Sequence, residues 1–316
     1  MKFSIIIAAY NLGALICDAI ESCVNQIGIS KSEYEILTIN DGSTDNTLEY
    51  INRYKEVENH VIIDKPNGGL SHTRNYGMQV AKGDYIIFLD GDDWLADDAL
   101  AMLELYLGEY DVVAFPMKYY YNENEQIQRL SLEERSYKSS EFIDVTIGQK
   151  RFNIIPAPKK IYRRTFLLDN NIKFVEGILH EDNPFFIDVM SKCNDICYIN
   201  IPIYFYRQNR EGSITSCCSV KNFKGTIKGI EHIKKTSLSK DRNVLFLISN
   251  LHVFQAIGNY SNIDDRKIVY KYYRSYEIKK ELLKLLFEAR FDLKPFVRNL
   301  LLCIDPSLLN FVVRKL

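Results

Sequence analysis

Four short apolar runs alternate with helical patterns over the first hundred residues, and this alternation restricts the fold more than any other feature. The runs span residues 3–9, 35–39, 61–63 and 85–89. Each is nearly continuous in apolar residues, as is typical of a parallel strand that is covered on both faces. Helical periodicity or helix-start residues separate the runs, at residues 14–26, 47–54 and 70–82. The pattern predicts βαβ units and an α/β fold with a mostly parallel sheet flanked by helices.

The chain changes character after residue 97. Residues 98–107 predict another helix and residues 112–115 another strand, whereas residues 117–150 are polar, rich in tyrosine and without a clear pattern. From about residue 220 onward, the sequence pattern predicts helices. The predicted helices span residues 223–235, 244–260 and 266–290, and an apolar, basic tail follows them.

Polar residues follow each of the four predicted strands. They are Tyr10-Asn11, Asp41 with Asp45, Asn67-Gly68-Gly69, and Asp90-Gly91-Asp92-Asp93. The carboxyl ends of parallel strands meet at one edge of the sheet, where ligands bind. Because neighbouring carboxylates repel each other and resist burial, this cluster predicts a bound cation. Carboxylate oxygens suit Mg²⁺ or Mn²⁺, and Mg²⁺ usually completes its shell with substrate phosphates, so a ligand that contains a diphosphate is expected.

Composition narrows the classes of function. Hydrophobic residues make up 47% and charged residues 26% of the 316 residues, which allows a sizeable globular core. The net charge of −1 gives no global electrostatic argument for a nucleic-acid partner. The seven cysteines have no repeated spacing, which favours reduced thiols in the cytoplasm. The first apolar run is too short and lacks the cleavage pattern of a signal peptide, and no uncharged apolar stretch reaches about 18 residues, so no membrane span is expected.

Seven segments, in order, resemble the bacterial family 2 glycosyltransferases with the GT-A fold. They are residues 4–11, 40–45, 67–71, 74–75, 88–94, 180–185, and 206–207 with 212–214. Each segment alone is a weak signal, but their order and spacing over roughly residues 3–216 are specific. The resemblance implies an inverting transferase that moves one sugar from a nucleoside-diphosphate donor, usually UDP-linked, to an acceptor hydroxyl.

The resemblance also implies which residues bind the donor. They are Ala9, Tyr10, Asp41, Asn67, Arg74 and Asp90. Ala9 and Asp41 would face the base, with Asp41 bonding the uracil edge, and Asp90 would contact the ribose. Asn40 stands where the family often has a first acid, so the base contact would fall on Asp41 alone.

A metal and an arginine are implied at the diphosphate. Asp92 would hold Mg²⁺ or Mn²⁺ on the phosphates, and Arg207 with Ser213 would clamp the leaving group. These residue types suit the chemistry, because displacement at the anomeric carbon passes through an oxocarbenium-like state while the diphosphate gains negative charge. Lys159 and Lys160 could also reach phosphate, but solvated lysines are the simpler expectation.

The attacking hydroxyl must lose a proton, which requires a carboxylate on the opposite face of the sugar. The resemblance assigns this role of general base to Asp182. Adjacent side chains in an extended or irregular stretch point to different sides, so Glu181 is expected to support the base or touch the acceptor. His180 could support the base, touch the acceptor or simply pack.

Three parts of the chain are predicted. Residues 1–116 form the nucleotide-sugar-binding half of the GT-A domain, residues 117–219 the acceptor-binding half, and residues 220–316 a helical extension. In the tail, Val297, Leu300, Leu301 and Ile304 share one helical face, and basic residues flank it. Such a helix can lie on an anionic membrane surface or pack on the catalytic domain, so a peripheral position on the inner face of the membrane is one expectation.

The sequence thus predicts a metal-dependent glycosyltransferase with a UDP-sugar donor and a saccharide or lipid-linked saccharide acceptor, acting in surface polysaccharide or glycolipid synthesis. Two alternatives stay open. A nucleotidyltransferase would need a basic, glycine-rich loop after the first strand, and residues 10–13 do not form one. An inactive sugar-nucleotide-binding module would be favoured by loss of Asp92 or Asp182, and both are present.

Overall fold

The computed structural model divides the chain into two compact units. The first comprises Met1–Phe142, Asn153–Gly177 and Lys192–Glu211, and the second comprises Ile143–Phe152, Ile178–Ser191 and Gly212–Leu316. The structure describes residues 1–121, 124–128, 132–208, 219–258, 260, 262–289 and 292–315. The three-part division expected from the sequence stays a prediction.

A mixed sheet of eight strands forms the centre of the first unit within the described residues. Its strands are β1 (Phe3–Ala9), β2 (Tyr34–Asn40), β3 (His60–Asp64), β4 (Tyr85–Asp90), β6 (Val112–Ala114), β9 (Arg135–Lys138), β10 (Lys160–Arg163) and β11 (Asp195–Tyr198). They lie in the order β3-β2-β1-β4-β10-β6-β11-β9. The strands β1 to β4 are parallel to one another, and β10 runs antiparallel between β4 and β6. The predicted α/β fold with a mostly parallel sheet is confirmed.

The helices of the first unit separate or follow these strands. They are α1 (Ile16–Val24), α2 (Thr47–Asn52), α3 (Leu70–Val80), α4 (Ala99–Glu104), α5 (Ser139–Ile143) and α6 (Arg164–Asp169). Every residue of β2 is buried, and β1 is buried except at Ala8, as expected for strands that are covered on both faces. The four strands and three helices predicted in the first ninety residues are confirmed to within two residues at each end, and a short 3₁₀ turn (Gly13–Leu15) precedes α1.

A second, smaller sheet uses the tyrosine-rich segment that gave no clear pattern in the sequence. It contains β5 (Trp94–Leu95), β7 (Met117–Tyr121), β8 (Asn124–Gln128) and β12 (Tyr204–Arg207), in the order β5-β12-β7-β8. Met117, Leu95 and Tyr204 join the hydrophobic core of the first unit. This sheet joins the segment after Asp92 to a strand more than 100 residues further along the chain.

The second unit is helical. Its helices are α7 (Asp182–Lys192), α8 (Val220–Ile233), α9 (Arg242–Ile257), α10 (Ile263–Arg274), α11 (Tyr276–Glu288), α12 (Leu293–Ile304) and α13 (Pro306–Lys315). Helix α9 lies at the centre and packs against α8 and α10 to α13. No helix in the described parts of the chain is long and apolar enough to cross a membrane.

The prediction of one helix over residues 266–290 is wrong, because α10 and α11 are separate. Ser275 has an extended backbone between them, with φ −66° and ψ 147°. Val269 of α10 and Leu282 of α11 are both buried, and both helices pack against α9. The break lets two apolar faces reach the same partner, which a straight helix of that length would not allow.

Candidate active site

The loops after β1 and β2 are joined by side-chain hydrogen bonds. Asn11, with a positive φ of 51°, accepts from Thr44 N through its Oδ1 at 2.8 Å. Gly13 N donates to Thr47 Oγ1 at 2.8 Å and to Asp45 Oδ2 at 3.1 Å. Asp45 also accepts from Thr47 N at 3.0 Å, so it acts at the start of α2 as a turn residue. These bonds fix the carboxyl edge of the sheet beside β1.

Two of the predicted donor residues lie at the carboxyl end of β1. Ala9 is buried, and its carbonyl accepts from Asp41 N at 2.8 Å, whereas the Tyr10 side chain is exposed. Asn40, at the end of β2, donates to Asp64 Oδ1 at 2.7 Å and accepts from Ser43 N at 3.3 Å. Asn40 therefore links β2 to β3.

Asp41 and Asn67, both predicted to bind the nucleotide, lie together. Asp41 is buried and its carboxylate accepts from Gly68 N and Gly69 N, each at 2.8 Å, and pairs with Lys65. Asn67 Nδ2 donates to the Asp41 carbonyl at 2.9 Å. A carboxylate offers about four acceptor positions, and three are used here to hold the loop before α3. Contact of Asp41 with a uracil edge stays a prediction.

Arg74 and Asp90 form an ion pair at the end of β4. Arg74 Nη2 lies 2.7 Å from Asp90 Oδ1, and the two side chains are 2% and 30% exposed. The guanidinium group is also 5.1 Å from the ring centroid of Phe174 and 5.9 Å from that of Phe88. Arg74 therefore holds the partly exposed carboxylate of Asp90 from within the core.

The third aspartate of the cluster has a different environment from the other two. Asp93 is fully buried, and its carboxylate accepts from Tyr204 Oη at 2.6 Å and from Arg207 N at 2.8 Å. Burial, then the charges of Asp92 and Asp90, raise the pKa of Asp93 well above its usual range. Asp93 holds β12 against the loop after β4. Sequence reasoning assigned Asp93 and Tyr204 no separate role, because their contact joins positions that are 111 residues apart in the chain.

Arg207 is held beside the Asp92 loop. Its Nε donates to the Asp92 carbonyl at 2.9 Å, its Nη2 donates to Asp18 Oδ2 at 2.5 Å, and its guanidinium group is 4.8 Å from the centroid of Trp94. The structure thus brings two of the predicted diphosphate-side residues, Asp92 and Arg207, together. Ser213 lies outside the described residues.

Asp92 is the carboxylate of the cluster that is predicted to hold a divalent cation. Asp93 is turned toward Tyr204, and Asp90 toward Arg74. In the described part of the chain, no group of three His, Cys, Asp or Glu residues is arranged to hold a metal ion. The half-buried Asp92 carboxylate fits a Mg²⁺ or Mn²⁺ ion that takes its remaining ligands from substrate phosphates and water.

The predicted base segment belongs to the second unit and begins a helix. This corrects the expectation of an extended or irregular stretch. His180 has a positive φ of 61°, and its carbonyl accepts from Asn183 N at 3.1 Å, while Asp182 is the first residue of α7. Glu181 is buried. The start of a helix favours a negative charge, which suits a carboxylate at position 182.

His180 packs within the second unit. Its ring meets that of Phe254 edge-on, with the centroids 5.7 Å apart. Burial lowers the pKa of His180, against the opposing effect of the Asp182 charge. A neutral imidazole is therefore favoured near pH 7.

A family model described as "Glycosyl transferase family 2" matches residues 4–169. The chain belongs to this family. The matched region contains β1 to β4, α3 and the residues from Ala9 to Asp93 that form the edge described above. The family resemblance found in the sequence is confirmed.

Two relatives of the chain are named as transferases. The chain is 30% identical to the poly(ribitol-phosphate) beta-glucosyltransferase of Bacillus spizizenii, over 77% of this chain and 38% of the relative. It is 30% identical to the cholesterol galactosyltransferase of Borreliella burgdorferi, over 69% of this chain and 63% of the relative. The chain thus spans less than two thirds of the length of these relatives.

A solved structure has the same fold. The crystal structure of Staphylococcus aureus TarS 1–349 in complex with UDP-GlcNAc aligns with a TM-score of 0.72 and 22% identity, over 100% of this chain and 92% of that one. This likeness supports the fold of the family 2 chain.

Proposed function

We propose that this family 2 chain transfers a sugar from a UDP-sugar to an acceptor hydroxyl with inversion at the anomeric carbon. The main support is the set of polar groups at one edge of the parallel sheet, formed by the Asp41 loop, the Arg74–Asp90 pair and the Asp92–Arg207 contact. Edges of this kind bind nucleotides in open α/β sheets. The named transferase activities of the relatives and the UDP-GlcNAc complex of TarS point to the same chemistry.

The donor-side residues have distinct tasks in this proposal. Asp90, oriented by Arg74, accepts hydrogen bonds from the ribose. A Mg²⁺ or Mn²⁺ ion held by Asp92 would neutralise charge on the diphosphate. Arg207 donates to the backbone carbonyl of Asp92 and would add a fixed positive charge close to the leaving group, where negative charge develops in the transition state.

Calorimetric titration with UDP tests the donor side. Wild-type protein should bind UDP in the presence of Mg²⁺ or Mn²⁺, and Asp92→Asn should remove most of the metal-dependent part while the fold is kept. Asp97→Asn, an exposed aspartate on the same segment, is the matched control and should bind UDP as the wild type does. Equal affinity with EDTA present would contradict a metal-dependent site.

Asp182 is proposed as the general base. As a carboxylate at the start of α7, it can accept the proton of the acceptor hydroxyl. Asp182→Asn should lower turnover by roughly 10²–10⁴ while UDP affinity stays nearly unchanged. Glu181→Gln should cause a smaller loss, mostly in the KM for the acceptor. An Asp182→Asn enzyme that keeps more than about a tenth of wild-type kcat would remove Asp182 from this role.

The acceptor is proposed to be a saccharide or lipid-linked saccharide in surface polysaccharide or glycolipid synthesis, because relatives are named for transfer to poly(ribitol-phosphate) and to cholesterol. A screen of UDP-sugars that measures UDP release, with and without a bacterial membrane extract, tests this directly. Release that depends on the extract identifies the acceptor fraction. Release of pyrophosphate from a nucleoside triphosphate would instead favour a nucleotidyltransferase.

We also propose that α12 binds the inner surface of an anionic membrane. The helix buries Asn299, Leu302 and Cys303, while Val297, Leu300 and Ile304 on its other side are 41%, 37% and 53% exposed. An exposed apolar stripe flanked by lysine and arginine suits the boundary of an anionic bilayer.

Sedimentation with vesicles tests this surface. Replacing Val297, Leu300 and Ile304 by serine should abolish co-sedimentation with phosphatidylglycerol vesicles without removing a buried side chain. Leu105→Ser, at an apolar residue that is 75% exposed in the first unit, is the control and should change nothing. Wild-type protein that ignores anionic vesicles would refute the proposal.

A further inference from the structure

Two adjacent lysines that were expected to be solvated are both buried. Lys160 has a structural role, because its ammonium group donates to the carbonyls of Ile154, Ile155 and Pro156 at 2.5, 3.2 and 3.0 Å. Lys159 is 2% exposed, and its contacts differ. Burial of a charged lysine costs free energy unless the charge is paired or hydrogen-bonded, so the surroundings of Lys159 bear on its role.

The backbone brings Lys159 to the donor edge of the sheet. It ends a short turn, Ala157–Lys159, that packs on β4 and leads into β10. In the antiparallel register of β10 and β4, Ile161 is opposite Ile87. Two residues earlier, Lys159 is therefore level with Leu89, the residue directly before Asp90. Its carbonyl also accepts from Phe115 N at 3.1 Å, which closes the end of β6.

The side chain points to the tyrosine face of the smaller sheet. Lys159 Nζ donates to Tyr119 Oη at 3.3 Å and is 5.3 Å from the centroid of that ring. The ring of Tyr119 meets that of Tyr206 edge-on at 5.5 Å. Burial, then the charges of Asp93, Asp90 and Asp92, raise the pKa of Tyr206 to about 12. The charges of the acidic cluster therefore act on Tyr206. Tyr206 in turn packs against Tyr119, which contacts Lys159.

Arg207 lies on the opposite face of the same strand. Side chains alternate along β12, so Tyr206 and Arg207 point to different sides, and Arg207 contacts Trp94 and Asp18. The two cations therefore approach the carboxyl edge from different faces of the smaller sheet. Lys159 occupies the face that also holds Tyr204 and Asp93.

The amine of Lys159 can change its protonation state near neutral pH. Burial lowers the pKa of Lys159 to about 7. Tyr119 from β7 contacts the Lys159 amine, and Tyr206 from β12 packs against Tyr119, while the ammonium group of Lys160 faces carbonyls. An anion that enters this edge would favour the protonated form.

We propose that Lys159 is a donor-binding residue whose amine takes up one proton from solvent when the donor binds, and whose ammonium group then pairs with the diphosphate. This inference rests on the proposed function, since it requires a nucleoside-diphosphate ligand at this edge. The step is balanced: one neutral amine and one proton give one ammonium ion, and no covalent bond to the ligand forms. In this proposal, Lys159 and Arg207 together compensate the negative charge of the diphosphate, from opposite faces of the smaller sheet.

The pH dependence of UDP affinity tests the proposal. Titrations run from pH 7.0 to 8.5 at fixed magnesium, where the terminal phosphate of UDP, with a pKa near 6, is already ionised. Wild-type affinity should fall roughly tenfold over this range, because binding must take up a proton that becomes scarcer. Lys159→Met should bind UDP about tenfold more weakly at pH 7.0 but with no such slope, so the two curves converge near pH 8.5.

Controls separate this contact from a general effect. Lys118→Met removes another lysine that lies over an aromatic ring, 4.6 Å from the centroid of Phe205, and it should keep the wild-type slope. Uridine, which lacks phosphates, should bind without a slope. Thermal melting followed by Trp94 fluorescence checks that each variant folds, and Lys159→Gln replaces Lys159→Met if the latter does not.

Each result decides the matter. A flat wild-type profile, or a slope that survives in both Lys159 variants, overturns the assignment while leaving UDP as the donor nucleotide. Failure of UDP to bind at any pH would refute the proposed donor and this inference with it. Proton uptake can also be measured directly, from the calorimetric enthalpy in two buffers with different ionisation enthalpies.

Discussion

The Arg74–Asp90 pair allows a sharp prediction, because its two charges are buried to different extents. Asp90→Asn leaves a guanidinium group that is 2% exposed without this carboxylate, so water cannot compensate for the loss. Arg74→Met leaves a carboxylate that is 30% exposed and can regain water, while the methionine still packs between Phe88 and Phe174. Although both variants break the same contact, they should differ in stability.

Removing one partner of a buried ion pair costs about 3–5 kcal/mol when the remaining charge stays buried. Asp90→Asn should approach the lower end of that range, about 3 kcal/mol. Arg74→Met should cost about 1 kcal/mol, since the remaining charge is close to solvent and exposed charges contribute little. The double variant should resemble Arg74→Met, which gives a coupling free energy of about 3 kcal/mol between the two positions.

Urea denaturation followed by fluorescence measures this in the relevant unit. Trp94 is the only tryptophan in the chain, and it stacks on Phe205 in the first unit with centroids 5.3 Å apart. Its fluorescence therefore reports unfolding of that unit, while circular dichroism also includes the helical unit. Equal losses for the two single variants, or a larger loss for Arg74→Met, would refute the argument from unequal burial.

Three further predictions follow from buried contacts. Gly91→Ala should destabilise the first unit and weaken UDP binding, because an added Cβ would lie 2.4 Å from Leu12 Cδ1 and 2.8 Å from the Ala8 carbonyl oxygen. Gly229→Ala, in α8, is the control and should be tolerated. Melting temperatures of the two variants test this difference. Lys160→Met should lower the melting temperature without changing the pH slope of UDP binding, since it leaves three carbonyls without this donor but keeps the amine of Lys159. Iodoacetamide at pH 7.5 should modify four cysteines only after denaturation, because burial raises their pKa values to between about 11 and 12; peptide mapping checks Cys23, Cys193, Cys197 and Cys303.

The parallel half of the sheet and its polar edge can both be predicted from the sequence. Strands β1 to β4 are local apolar runs, and the residues that follow them are turn formers and acids, so both features are readable over five to ten neighbouring residues. Parallel strands must place their carboxyl ends together. The placement of Asp41, Asn67 and Asp90 at this edge therefore followed from their order along the chain.

The different partners of Asp90, Asp92 and Asp93 depend on tertiary structure. Asp90 pairs with Arg74 from α3, whereas Asp93 turns inward to Tyr204 and Arg207 of β12. These partners lie 16, 111 and 114 residues away in sequence. No local pattern specifies them, because strand order and sheet pairing bring them into contact.

The two buried lysines show the same limit. A Lys-Lys pair beside prolines is solvated in most chains, and nothing in the local sequence marks Lys159 or Lys160 as different. Their burial follows from the insertion of β10 between β4 and β6, which covers the turn before it. Local periodicity predicts which residues form a strand, but the environment of a side chain depends on which strands lie next to it, and that is set by long-range pairing.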